Sequence, residues 1–501
     1  MDYTKLQNGS DIRGIAMENE TGAVNLTEDA VRHLAAAFAS WLKKKSGKSS
    51  LKIAVGRDSR LTGEKFVLTT IEGLNSQCVE CFNCGLASTP AMFMTTVTEG
   101  YKYDGSIMIT ASHLPWYRNG MKFFTPAGGL EHDDISELTA IAADITLSEP
   151  FDTSAQEIDF MSVYAAHLCD TIRAAVKADD YEHPLKGLHV IVDAGNGGGG
   201  FYVSKVLEPL GANTEGSQFL EPDGHFPNHI PNPENKEAAE SIKSATLASK
   251  ADLGIIFDTD VDRAGAILPS GRELTRNALI AVLSRIALSE HPGTTIVTDS
   301  VTSSGLAEFI TKHGGVHRRF KRGYKNVIDE SIRLNKEGTD SQLAIETSGH
   351  GAFKENYFLD DGAYLMVKLL IEMGKGHKLD EMIEDLKEPK QSVELRFPVL
   401  AENVPVIADN VLDVITTSVN LVDGWSLAPD NHEGVRVNVD AAHGNGWFLL
   451  RKSLHEPIMP LNIESDDADG CPIIAKSIYE ILKREDTLEL QPIIDFIGSS
   501  L

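Results

Sequence analysis

One pattern recurs along this chain and restricts its fold more than any other. A short apolar run stops abruptly in a loop of small, polar or charged residues, and a helix-like stretch follows. The runs are Ile53-Ala54-Val55 into Gly56-Arg57-Asp58-Ser59-Arg60, Ile107-Met108-Ile109 into Thr110-Ala111-Ser112-His113, and His189-Val190-Ile191-Val192 into Asp193-Ala194-Gly195-Asn196-Gly197. Further along come Leu253-Gly254-Ile255-Ile256-Phe257 into Asp258-Thr259-Asp260-Val261-Asp262, Thr295-Ile296-Val297 into Thr298-Asp299-Ser300, and Leu343-Ala344-Ile345 into Glu346-Thr347-Ser348-Gly349-His350. Strands covered on both faces read as unbroken apolar runs rather than as alternation. Helical patterns lie between them: over 30–42, Val31, Leu34, Phe38 and Leu42 share one face. Alternating strands and helices predict α/β layers on largely parallel, mixed sheets. In such sheets ligands bind beyond the carboxyl ends of the strands, which is where the special loops fall. The pattern appears near 50–115, 190–260 and 295–350, predicting three similar α/β domains. From about 390 the texture changes: Gly434–Val439 and Gly446–Arg451 alternate like strands of an α+β domain, behind a linker at Lys387–Gln391. At roughly 100–200 residues per domain, 501 residues suggest about three to five domains.

Hydrophobic residues make up 42% and charged residues 24%, ordinary for a globular chain. The formal net charge of -27 argues against a nucleic-acid or anionic-membrane partner. It also means that a phosphate-bearing substrate needs a locally basic site. The start, Met1-Asp2-Tyr3-Thr4-Lys5, has neither a basic nor an apolar signal region, and no apolar run approaches the roughly 20 residues that span a bilayer. Five cysteines are too few for a disulfide framework. Cys78, Cys81 and Cys84 have the spacing of a metal clip, but the stretch reads better as a half-buried strand leading into a turn. A cytoplasmic protein with free thiols is expected.

Four loops carry candidate chemistry. In Asp258-Thr259-Asp260-Val261-Asp262-Arg263, three carboxylates at alternating positions follow a buried strand. Crowded like charges need a cation, and oxygen-only ligands point to Mg²⁺; the alternative is a solvated acidic turn. Ser112 ends an apolar strand in a loop of small residues, where its hydroxyl can face a ligand if something activates it; a lone serine there is otherwise a turn residue. Glu346-Thr347-Ser348-Gly349-His350 offers a carboxylate, hydroxyls and an imidazole suited to sugar hydroxyls, or a helix cap. Arg451-Lys452-Ser453-Leu454-His455-Glu456-Pro457, with Arg436 upstream, makes a phosphate cradle or a basic surface turn. Arginines at 13, 57 and 60 supply further positive charge near strand ends.

Taken in order, these loops resemble the α-D-phosphohexomutase family. Its serine loop T-A-S-H-N-P, followed by N-G-x-K, is matched by Thr110-Ala111-Ser112-His113-Leu114-Pro115 and Asn119-Gly120-Met121-Lys122. Its metal loop D-x-D-x-D-R is matched at Asp258–Arg263, and its sugar loop G-E-x-S-G-H at Ile345–His350. Gly56-Arg57-Asp58-Ser59-Arg60, Pro222–Pro227 and Pro231-Asn232-Pro233-Glu234 fit minor motifs. The resemblance implies four domains in a heart-shaped arrangement: 1–165 with the phosphoserine loop, 166–276 with the metal loop, 277–388 with the sugar loop and 389–501 with the phosphate loop. It implies a phosphohexomutase that interconverts hexose 1-phosphate and 6-phosphate through phosphorylated Ser112 and a hexose 1,6-bisphosphate intermediate and activator. Mg²⁺ is then held by Asp258, Asp260, Asp262 and a phosphoserine oxygen. Lys122 becomes the proton shuttle, with His113 beside the serine and Arg13 and Arg263 steadying charge. Glu346, Thr347, Ser348 and His350 contact the sugar, and Arg436, Arg451, Ser453, His455 and Lys325 join Arg13 at its phosphate. The implied partner is a small phosphosugar, and the implied assembly a monomer or homodimer.

Three departures fall at the site. The family's phosphate loop R-x-S-G-T-E-P has Leu454 for Gly and His455 for Thr here, Leu114 replaces Asn beside the serine, and Ile345 replaces Gly in the sugar loop. The stretch from His350 to Tyr364 looks like the phosphomannomutase/phosphoglucomutase branch, whereas the glucosamine branch has Gln at the position of Thr347. Glucose and mannose phosphates are therefore expected, with phosphoglucosamine mutase the alternative. A divergent, non-catalytic phosphosugar binder also stays open. So does a haloacid-dehalogenase-type phosphatase with Asp258 as nucleophile, which gives no role to Ser112, Asp262 or the sugar loop. Ser112→Ala separates the last case: turnover assays should show mutase activity abolished, where a phosphatase would be spared.

Overall fold

A computed structural model describes residues 2–20, 22–453 and 456–498. The chain divides into two compact units. One holds 1–275, 348–352 and 359–382; the other holds 276–347, 353–358 and 383–501.

The first unit carries two sheets. In the first, the order is Gln7–Asn8, Asp11–Ile15, Arg118–Thr125, Gly105–Ile109, Leu51–Arg57, Val79–Leu86 and Gln156–Glu157, with Gly128–Gly129 beside Arg118–Thr125. Leu51–Arg57 lies parallel to both of its neighbours, while Arg118–Thr125 runs antiparallel to Gly105–Ile109. The helix Glu28–Ser46 is specified locally at both ends. Thr27 Oγ1 accepts from Ala30 N at 3.2 Å, Glu28 and Asp29 sit in the first turn, three lysines sit in the last, and Gly47 closes it in the left-handed region. Its apolar stripe, including the expected Val31, Leu34, Phe38 and Leu42, is buried. The strand expected over Cys78–Asn83 forms from Val79 and continues to Leu86, Cys78 being the turn residue before it, and all five cysteines are free.

The second sheet runs Glu273–Leu274, Ala264–Ile267, Leu253–Phe257, Val190–Asp193. Only its Val190–Asp193/Leu253–Phe257 pair is parallel. Here the expectation of a helix after every loop needs correction. The serine loop and the acidic loop each return directly into an antiparallel strand, Arg118–Thr125 and Ala264–Ile267. Short apolar runs such as Ala264-Gly265-Ala266-Ile267 do not distinguish strand from helix by periodicity. The consequence is chemical: Lys122 pairs with Met108 and Ala264 with Phe257, so the residues that follow each loop come straight back to it.

In the other unit, Val316–Arg319, Thr295–Thr298 and Ser341–Ile345 form a parallel array. The C-terminal sheet is antiparallel, in the order Gln391–Pro398, Ile458–Ser465, Gly446–Leu450, Val435–Val439, Trp425–Leu427. Helices Val404–Val419, Gly470–Leu482 and Gln491–Gly498 cover it around a core that includes Phe397, Phe448 and Ile478. Among the described residues, no helix is long and apolar enough to cross a membrane.

Helix Gly63–Asn75 packs on Glu28–Ser46 through Gly73, where a Cβ would lie 2.2 Å from the Arg32 carbonyl oxygen. Gly73→Ala gains about 1 kcal/mol of helix propensity, yet a clash with backbone cannot be relieved by a side-chain rotation. Overpacking costs typically about 1–3 kcal/mol. Thermal denaturation should therefore show a net loss of stability.

Candidate active site

All three aspartates of the acidic loop are buried at the end of a fully buried strand. The six residues 258–263 link strands paired at Phe257 and Ala264. Within them Val261 has φ +67°, a left-handed conformation that β-branched residues rarely adopt. It is held there by burial and by Gly362 N, which donates to its carbonyl at 3.2 Å. On the other side Gly198 N donates to Thr259 O at 2.7 Å, and a Cβ on Gly197 would lie 2.7 Å from that same oxygen. The loop is thus clamped in a strained turn, and ligating oxygens of Asp258, Asp260 and Asp262 all lie within 4.8 Å of one another.

Two cations offset this charge. Lys122 Nζ lies 3.0 Å from Asp260 Oδ2 and 2.5 Å from Asp262 Oδ2. Arg263 donates to Asp258 Oδ2 from Nε at 3.2 Å and from Nη2 at 3.1 Å. Burial, and then the neighbouring Asp262 and Asp260, push the Asp258 carboxyl well above the usual range. Burial acts on Asp262 in the same direction, but Lys122, His350 and Arg263 outweigh it and hold that carboxyl low. Asp260 Oδ1 and Asp262 Oδ1 remain buried without a hydrogen-bond partner. Orphaned carboxylate oxygens in an oxygen-only cluster are what a hard divalent cation takes up, so the residues fit a metal.

Ser112 reaches the same place from the first sheet. Its backbone is left-handed, φ +51°. Its Oγ donates to Asp258 Oδ2 at 3.0 Å and accepts from Arg263 Nη2 at 3.2 Å. His113 Nδ1 lies 3.3 Å from Ser112 Oγ and accepts from Arg263 Nη2 at 2.6 Å. Burial, with Arg263 and Arg13 behind it, pushes His113 down to about 2, so the imidazole is neutral. Arg13 itself pairs with Asp11 at 2.9 Å, on the strand beside Gly120. From the end of the sugar loop, His350 forms an isolated bridge with Arg263, and its Nδ1 lies 2.5 Å from Asp360 Oδ2. Burial would lower His350, but Asp360 and Asp262 raise it to about 9. Ser348 belongs to this unit as well.

The other expected residues lie in the second unit. Glu346 Oε1 accepts from Gly323 N at 2.5 Å, ahead of helix Tyr324–Lys336, whose first turn carries Lys325. Thr347 Oγ1 donates to Asp299 Oδ2 at 2.7 Å. Arg451 is buried, and Ser453 Oγ accepts from Glu456 N at 3.3 Å. His455 lies outside the described residues. Arg436 is buried, donates to the carbonyls of Ser300 and Thr302 at 2.9 and 3.1 Å, and stacks 3.5 Å over the Trp447 ring. Its guanidinium braces the interior of that unit.

Sequence reasoning missed several participants. Thr89 donates from Oγ1 to Asp260 Oδ2 at 2.5 Å and from its amide to Asp260 O at 2.8 Å; in sequence it is only the start of a Thr-Pro helix. Asn232, in a recognised Pro-Asn-Pro-Glu motif, accepts from Arg263 Nη1 at 3.2 Å. Asp360 gave a signal only as one of two consecutive aspartates.

Known proteins place the chain in a family. The family descriptions "Phosphoglucomutase/phosphomannomutase, alpha/beta/alpha domain I", "II" and "III" match residues 4–149, 164–271 and 275–389. A phosphoglucomutase of Neisseria gonorrhoeae is 29% identical over 459 residues, 91% of this chain and 92% of its own length. A phosphomannomutase/phosphoglucomutase of Pseudomonas aeruginosa PAO1 is 28% identical over 466 residues, 91% of this chain and 93% of its own. Among solved structures, a phosphoglucomutase/phosphomannomutase family protein from Burkholderia thailandensis superposes with a TM-score of 0.79 at 25% identity, covering 97% of this chain and 98% of that one. The chain belongs to the α-D-phosphohexomutase family. Its class is accordingly that of an isomerase acting by intramolecular phosphoryl transfer, on a fold of three α/β/α domains and a C-terminal sheet domain.

The pairing of Lys122 with two buried carboxylates can be tested without any turnover. Removing one partner of a buried ion pair costs about 3–5 kcal/mol, so Lys122→Met should lower the melting temperature of metal-free protein markedly. Because a divalent cation offsets the same negative charge, adding one should narrow the gap to wild type in the same melting experiment.

Proposed function

We propose that this enzyme interconverts the 1-phosphate and 6-phosphate of glucose, mannose or both, with Ser112 carrying the phosphoryl group between two half-reactions. The observation that carries this reading is the Ser112 hydroxyl, 3.0 Å from Asp258 and 3.2 Å from Arg263 at the rim of the carboxylate cluster. A hydroxyl so placed, once phosphorylated, sits beside both a cation site and a guanidinium. That is the charge environment phosphoryl transfer needs, since positioning and neutralisation do most of the work.

Asp258, Asp260 and Asp262, with a phosphoserine oxygen, would hold Mg²⁺, which when bound supplies positive charge to the transferring phosphoryl oxygens. In the first half-reaction a sugar hydroxyl attacks phosphorus, the Ser112 Oγ–P bond breaks, and the sugar becomes a 1,6-bisphosphate. In the second, its other phosphoryl group returns to Ser112. Each attacking hydroxyl loses a proton, and Lys122 is the base we assign, in the neutral form open to it when Asp260 and Asp262, which here hold it as an ammonium, are taken up by the metal. Arg263 stabilises the charge left on Ser112 Oγ, and neutral His113 orients the Arg263 Nη2 that points there. Arg13 adds positive charge to the same site. Glu346, Thr347, Ser348 and His350 are assigned to the sugar, and Arg451, Ser453 and Lys325 to the phosphate that is not being transferred. The three boundaries between the four domains, near 165, 276 and 388, are part of this proposal, supported by family matches that end at 149, 271 and 389.

The test is intact-mass measurement after incubation with glucose 1,6-bisphosphate and Mg²⁺. Wild type should gain one phosphoryl group on Ser112, and Ser112→Ala none. Coupled assays should then show turnover of glucose 1-phosphate or mannose 1-phosphate exceeding that of glucosamine 1-phosphate. A chain that takes up no phosphate and turns over none of the three would overturn the reading.

A further inference from the structure

The serine loop has little of its own to hold it. Residues 110–117 contain neither helix nor strand, and two turns, Leu114 N to Ala111 O at 3.2 Å and Arg118 N to Pro115 O at 2.9 Å, are its internal backbone bonds. Yet Ser112 adopts a left-handed backbone that serine does not favour. The compensation comes from Arg60. Its side chain is fully buried, and its two terminal nitrogens reach three carbonyls of the loop and that of Arg118, which opens the next strand. Nη1 donates to Pro115 O at 2.9 Å and Arg118 O at 2.8 Å; Nη2 donates to Leu114 O at 2.6 Å and also to Ser112 O. Nε forms an ion pair with Asp58 Oδ2 at 3.3 Å without a hydrogen bond, and Asp58 Oδ1 accepts from the Arg60 amide at 2.9 Å. The Phe226 ring covers the guanidinium at 5.3 Å. Four of the five N–H directions are therefore hydrogen-bonded, three to carbonyls of the loop that carries the serine and one to Arg118 at the start of the next strand.

A planar fork fixes four acceptors in one plane and at set angles; an ammonium, as a compact point charge, cannot. We propose that Arg60 is the positioning residue of the serine loop: its guanidinium gathers the carbonyls of 112, 114, 115 and 118 and thereby fixes the left-handed backbone that aims the Ser112 hydroxyl at Asp258 and Arg263. This rests on the reading of Ser112 as the phosphate carrier. Arg60 touches no reacting atom. Its effect is on where the nucleophile stands, so it should act on the transfer step and leave sugar binding alone.

The test is Arg60→Lys in the full chain, phosphorylated with glucose 1,6-bisphosphate and assayed below its melting temperature. Misplacing a reacting group by about 1 Å costs about 10²-fold. We therefore expect kcat to fall by about that factor while KM stays within about threefold. Amide hydrogen exchange should accelerate in 112–118 and remain unchanged in the strands on either side. A kcat within about threefold of wild type would overturn the proposal, as would exchange that loosens throughout the unit, because that marks a general packing role. Ser112→Ala run in parallel keeps the two claims apart. If it retains turnover, the phosphate-carrier reading fails, while exchange at 112–118 still decides whether Arg60 holds the loop. Should Arg60→Lys not fold, Asp58→Asn, which weakens the anchor and leaves the fork, is judged by the same split between kcat and KM and the same exchange pattern.

Discussion

Three carboxylates forced together out of water are the interaction on which the rest of this structure depends. Like charges at this spacing repel strongly where the dielectric is low, and burial adds a desolvation cost to each. The fold answers by bringing Lys122 and Arg263 against them and by leaving two carboxylate oxygens unfilled. Those two facts define the site. The paired oxygens tell where the protein supplies its own positive charge, and the orphaned ones tell where a cation is wanted.

The same balance explains how a chain of net charge -27 can handle phosphate. Arg13, Arg60, Lys122 and Arg263 all belong to the unit that carries the serine. Each has a defined acidic or carbonyl partner, so none is a loose surface cation. Rigidity is part of the design. Val261 and Ser112 both sit in left-handed backbone, one clamped by the Gly362 amide and one by the Arg60 fork. Such conformations persist only where surrounding structure over-determines them.

Much of the site was legible along the chain. Asp258, Asp260 and Asp262 announce themselves because three acids directly after an apolar strand have few other uses, and Ser112 because the same strand-to-loop break recurs there. What the pattern obscured was the return path. Short runs such as Ala264–Ile267 carry no period, so the two antiparallel strands after the loops read as helix starts. Thr89, and the part Asn232 plays within its recognised motif, were illegible for another reason. Their residue types are ordinary in turns, and only packing between distant segments puts them on Asp260 and Arg263. Arg436 shows the converse: an arginine near a phosphate motif, drawn inside to brace carbonyls and stack on Trp447.

By itself the sequence determined the buried strands, the capped helices and the loops that carry chemistry, because strand burial, helix caps and crowded charge are local properties written in neighbouring residues. Tertiary structure alone decided which groups meet. Ser112 and Asp258 are separated by 146 positions, and Lys122 and Asp262 by 140. No local rule links residues so far apart. Their contact follows from two sheets that end at one place, and from a buried negative charge that only groups brought from elsewhere in the chain can neutralise.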